Sequence, residues 1–186
     1  MNRLKDKSGV ISVLFVIAIF ITAIIAMAFV SIGNKLIAIN EVQGIMDIAG
    51  VMALRSAIDE TEWRLENLVV DKSEARNAFI NITNSSVGEY VGSDKLLKDF
   101  KLQSVRVYEH DETKVKSLQG KNAYYLEATG VATYSTYSFV DRATMHVVSF
   151  FDFLTMDDYS SVAVGGRNED GDVEVVVRTV SRLNLR

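Results

Sequence analysis

The chain has 186 residues, of which 48% are hydrophobic, with no cysteine, no proline and a formal net charge of −4. That hydrophobicity excludes a disordered tail, and the missing cysteine excludes a disulfide framework, a thiolate zinc site and a cysteine nucleophile. The mild acidity, with no basic face in view, argues against nucleic acid as a partner, because phosphate binding needs a concentrated Lys/Arg surface.

The first element is apolar. Ser8 to Asn34 carries no charge, and Val10 to Ile32 is interrupted only by Ser12, Thr22 and Ser31. At about 1.5 Å per residue this run matches the roughly 30 Å hydrocarbon core of a bilayer, so it reads as a transmembrane helix. Arg3, Lys5 and Lys7 precede it against one Asp6. The positive-inside bias therefore predicts a cytoplasmic N-terminus and an extracytoplasmic C-terminal part. The competing reading is a secretory signal cleaved after Ala28, since Ala26-Met27-Ala28 forms an A-x-A site, but the apolar run continues past it through Phe29, Val30 and Ile32.

From Gly33 to Glu66 no proline or turn cluster intervenes, and Leu36, Ile39, Val42, Met46, Ala49, Ala53 and Ala57 recur at steps of three and four. This is helical periodicity continuous with the membrane span. Lys35, Glu41 and Asp47 fall six residues apart and rotate away from one another, so no charged stripe forms, and a helix apolar nearly all round wants neighbours on several sides. Charge density rises beyond Arg55, where Trp63 is the expected anchor onto a solvated domain.

A short second helix is predicted over Asp71 to Thr83, followed by loop at Asn84-Ser85-Ser86 and from Gly88 to Ser93. The period then falls to two. Val105 and Val107 alternate with Arg106 and Tyr108; Leu126, Ala128, Gly130 and Ala132 alternate with Tyr125, Glu127 and Thr129; further runs cover Ala143 to Leu154 and Val173 to Val180. Short polar connections favour an antiparallel meander. The expected class is α+β: a leader over 1–9, a transmembrane and continuing helix over 10–66, and an extracytoplasmic domain over 67–186 with one short helix and a four-stranded antiparallel sheet.

Catalytic chemistry finds little support. His110 and His146 are the only histidines and lack partners at triad or metal spacing. Asn168-Glu169-Asp170-Gly171-Asp172 clusters carboxylates, but it lacks the 12-residue calcium-loop pattern, and Asp170-Gly171 between valine-rich runs reads as a hairpin turn. Gly165-Gly166 reads as a loop or bulge. No phosphate-loop, dinucleotide or nucleophile-elbow motif occurs. No enzyme activity, cofactor, metal or small-molecule substrate is expected.

One resemblance stands out in the first third. Ser8-Gly9-Val10-Ile11-Ser12-Val13-Leu14-Phe15, Ser31-Ile32-Gly33 and Glu41-Val42-Gln43-Gly44-Ile45-Met46-Asp47-Ile48-Ala49 resemble the TadE/TadG-like family of tight-adherence (Flp) pilus assembly proteins. Its members show a basic tail, a Gly before an aliphatic helix, an Asp-x-Gly and a Leu-Gln-x-Ala-x-Asp-x-Ala motif. Gly9, Gly33, Gln43, Asp47, Ala49 and Ala53 fall in that register, while Ser31 stands where the family often has Asp and Leu14 where a processed prepilin has Glu. The resemblance implies a pilin-like subunit or accessory, stored in the bacterial cytoplasmic membrane. It would pack through Gly33, Gln43, Gly44, Asp47, Ala49 and Ala53 against other pilin-like subunits and the inner-membrane assembly platform, with Gly9 as the possible processing site. The rival readings are a membrane-tethered binding or sensor module and the secreted protein cleaved after Ala28.

Overall fold

The computed structural model describes residues 3–64, 68–109, 123–135 and 160–184. Helix α1 (Arg3–Ser56) is a single rod of 54 residues, about 80 Å long. Apolar side chains from Val13 to Val30 stand exposed along it. From Lys35 onward one side is buried: Ile39, Val42, Met46, Ala49, Ala53 and Leu54 on the helix and Ala57 just after it. The expected stripe is thus present, except that Leu36 is 37% exposed and Lys35 takes the buried position one turn before Ile39. This half of the helix belongs to the core of the domain.

The helix does not continue to Glu66. It closes at Ser56; the Ala57 carbonyl accepts the Asp71 N–H at 2.9 Å, and Ile58 bridges Val70. Helix α2 (Glu60–Arg64) then restarts with the Glu62 N–H on Asp59 Oδ1 at 3.2 Å. A short polar side chain ahead of a helix competes for its first amide groups, and that cap turned a continuous periodicity into a break. Trp63 on α2, the expected anchor, is 47% exposed.

Helix α3 (Lys72–Gly88) is capped by Asp71, whose carboxylate accepts from the Ser73 and Glu74 amides at 2.8 and 2.9 Å. It runs back along α1 and buries Ala75, Phe79, Thr83 and Val87 at four-residue steps. The expected loop at Asn84-Ser85-Ser86 is therefore helical. Burial of Val87 one turn later outweighs the weak propensity of Asn and Ser.

The four described strands are β1 (Leu97–Glu109), β2 (Ala123–Tyr134), β3 (Ser160–Arg167) and β4 (Val173–Asn184), all antiparallel, in the order β1-β2-β4-β3. The sequential meander is corrected. Val173, Val175 and Val177 of β4 are buried, and a strand so apolar sits inside the sheet, whereas among the described strands β3 is outermost on that side, with an irregularity between Val164 and Gly166. Gly165-Gly166, expected as loop or bulge, is the irregularity within β3, whose other residues show no period of two in the sequence; the expected strand over Ala143 to Leu154 lies outside the described residues. The β3–β4 turn forms as expected, with Gly171 at φ 82°. Even-numbered residues of β2 and odd-numbered residues of β4 face α1 and α3, and the core lies between.

Candidate assembly surface on the long helix

Three polar ties hold the inner side of α1 to the sheet. Tyr134 Oη donates to the Ala38 carbonyl at 3.3 Å, Ser181 Oγ donates to the Asp47 carbonyl at 3.2 Å, and Thr179 Oγ1 donates to the Asp47 carboxylate. Burial raises the Asp47 carboxyl above the ordinary carboxylate range, with the Thr179 hydrogen bond opposing that shift. Burial likewise raises the Tyr134 phenol, keeping it protonated as the donor its bond to Ala38 requires. Asp47 lies about 22 Å along the helix from Ile32, well clear of the apolar run.

Close approach accompanies these ties. A Cβ on Gly50 would stand 2.0 Å from Ser181 Oγ and 2.7 Å from Ser181 Cβ, so β4 reaches the helix only because residue 50 has no side chain. Thr179 and Ser181 were not singled out in the sequence. The one available signal was the change from Val175 and Val177 to hydroxyl residues at the same alternation, which marks where a polar helix group meets the sheet.

The six residues expected to mediate helix packing therefore divide. Ala49 and Ala53 are fully buried in the chain's own core and Asp47 is bonded to its own β4. Gln43 is half-buried on the flank. Gly33 and Gly44 have open space where a Cβ would stand. They are eleven residues apart, three helical turns, and each is followed four residues later by an isoleucine. Ile37 and Ile48, 59% and 63% exposed, thus share with both glycines a face opposite Met46. Met52 extends the patch, and the same face continues toward the N-terminus through Ala26 and Val30. Gly9 lies within the first turns of α1.

Two concavities lie among the described residues. One of about 240 Å³ is lined by Ala38, Glu41, Val42, Glu89, Tyr90, Lys95, Leu96 and Leu97. Another, about 390 Å³, lies between α3 and β1 beside Arg76, Asn84 and Phe100. Among the described residues no group of three or more His, Asp or Glu is placed to hold a metal. His110 and His146 lie outside the described residues. The acidic turn is occupied by its own contacts: Lys98 Nζ bonds the buried Asp172 at 2.7 Å, and Asn168 Oδ1 accepts the Asp172 N–H at 2.9 Å. On the sheet face away from the helices, Arg178 pairs with Glu127 at 2.6 Å and Tyr108 Oη donates to the same carboxylate.

No family model, curated protein or solved structure matches this chain.

Proposed function

We propose that the chain is a non-catalytic, membrane-anchored, pilin-like subunit or accessory of a tight-adherence type pilus, assembling through the outer face of α1. The observation that carries the reading is the division of one helix: its inner side is committed to the chain's own sheet, while Gly33, Ile37, Gly44 and Ile48 form a narrow apolar face with no partner among the described residues, beyond a bilayer-length run. Apolar side chains in that position gain from a neighbouring helix, and glycines at one-turn spacing from isoleucines let two backbones approach closely. The likeness of residues 8–53 to the TadE/TadG-like pattern supports the same reading. Arg3, Lys5 and Lys7 then hold the N-terminus in the cytoplasm and place the sheet domain outside the membrane.

The chain's lack of cysteine makes the test clean. In the native membrane, Ile37→Cys and Ile48→Cys are expected to cross-link to pilin-like membrane proteins, while the inward Met46→Cys is not. Ile48→Glu is expected to abolish assembly without unfolding the domain. Assembly that tolerates this polar residue would sink the proposal and favour a tethered binding module. Intact mass of the membrane-extracted protein separates a chain retaining its leader from one cut after Gly9 or after Ala28.

A further inference from the structure

The tertiary contacts fix which end of the sheet domain faces the bilayer. Helix α3 leaves the far end of α1, where Asp71 meets Ala57, and returns to the near end, where the turn joining it to β1 packs beside Ala38, Glu41 and Val42. Strand β2 also ends here, its Tyr134 bonded to the Ala38 carbonyl. Ile32 closes the apolar run, and Ala38 lies about 9 Å further along the helix, within a side chain's reach of a headgroup layer roughly 6 Å thick. Lys35, about 5 Å past Ile32, is already 2% exposed, so folded protein covers one side of the helix at headgroup depth with no spacer between.

We propose that this end of the domain, the 89–96 turn with its concavity beside Ala38, is a lipid-contacting surface seated in the headgroup layer of the leaflet into which α1 emerges. Tyr90 suits that role: it is 44% exposed and amphipathic, the side-chain type concentrated at membrane–water boundaries. Lys95 folds inward onto the Glu89 carbonyl, and Glu41, Glu89 and Asp94 make the surroundings acidic. The matching surface is zwitterionic phospholipid, whose outward ammonium groups meet those carboxylates; a strongly anionic surface would be repelled. The inference rests on α1 spanning the membrane.

The single tryptophan makes the test direct. The full-length protein is reconstituted into phosphatidylcholine vesicles carrying bromine both near the top and near the end of the acyl chains. Native Trp63 is compared with Phe20→Trp and Tyr90→Trp, each placed in a Trp63→Phe background. Trp63 follows the far end of α1, whose last residue, Ser56, lies some 36 Å beyond Ile32, and is expected to keep its emission. Phe20→Trp is expected to be strongly quenched, and Tyr90→Trp to lose emission about twofold. Ser93→Trp on the same exposed turn gives a second reporter if Tyr90→Trp fails to fold. Quenching at residue 20 with none at 90 or 93 overturns the proposal while keeping the span; no quenching at residue 20 overturns the span and the proposal with it.

Discussion

The two halves of α1 have nearly the same kind of sequence and opposite surroundings. Between Val13 and Val30 almost every side chain is exposed; between Lys35 and Ala57 one side of each turn is buried against β2, β4 and α3. Apolar composition therefore does not tell a membrane-facing helix from a core helix. What separates them is small residues at defined places, Ala49, Gly50 and Ala53, together with the one acid, Asp47, that finds a hydroxyl on the sheet. The first half is interchangeable among apolar residues, and the second is shaped to one partner.

The largest effect should come from emptying a position in each half. Met46→Ala removes a fully buried side chain and is expected to cost about 2–5 kcal/mol. Met27→Ala, at a position 57% exposed, should leave the domain's stability unchanged. Denaturant unfolding of the detergent-solubilised chain measures both, and equal effects would erase the distinction between the halves. Next, Gly50→Ala drives a methyl into Ser181 and should cost about 1–3 kcal/mol, less what helix propensity returns. Adding Ser181→Gly removes both clashing atoms and should reverse its sign, which a double-mutant cycle reads directly.

Asp47→Ala leaves the buried Thr179 hydroxyl without this acceptor and is expected to cost on the order of 1–2 kcal/mol, whereas Asp47→Asn keeps an acceptor oxygen and should be close to neutral. Unequal stabilities of these variants in the isolated chain would show that Asp47 serves its own domain whatever it does in assembly. Gly44→Ala, with open space around it, should stabilise the isolated chain by up to about 1 kcal/mol and yet impair assembly if neighbouring helices approach there. The smallest effect is a pH slope. Because burial raises the Asp47 carboxyl, the folded chain holds that proton more tightly than the unfolded one, so stability contributed at this site falls as pH rises from the ordinary carboxylate range through the folded value. Comparing wild type with Asp47→Asn across mildly acidic pH isolates the slope, which Asn should abolish.

Local pattern was enough for some elements and misleading for others. The alternation in Val105 to Tyr108 and Leu126 to Ala132 showed through because each strand there is regular. The start of β1 did not, although Leu97, Phe100, Leu102, Val105 and Val107 all belong to one buried face. Register shifts between Leu97 and Asp99 and between Leu102 and Ser104 each insert a residue, so the buried positions change parity and no period of two survives. The Asn-Ser-Ser run in α3 and the Asp59 break after α1 failed for the opposite reasons: burial of Val87 overrode weak propensity in one, and a single cap overrode strong periodicity in the other. For the packing residues, spacing placed Gly33, Gln43, Gly44, Asp47, Ala49 and Ala53 on the helix but could not say which side the chain's own sheet would occupy.

The sequence by itself determined a bilayer-length apolar helix, its continuation by steps of three and four, and an antiparallel α+β domain, because these follow from side-chain period and hydropathy along the chain. Only the tertiary structure decided that β4 lies inside the sheet, that Asp47 and Gly50 face it, and that Gly33, Ile37, Gly44 and Ile48 are left outward. Helical period says which residues share a face. Which face is covered depends on contacts between residues more than a hundred positions apart, such as Asp47 with Thr179, and no local pattern carries that information.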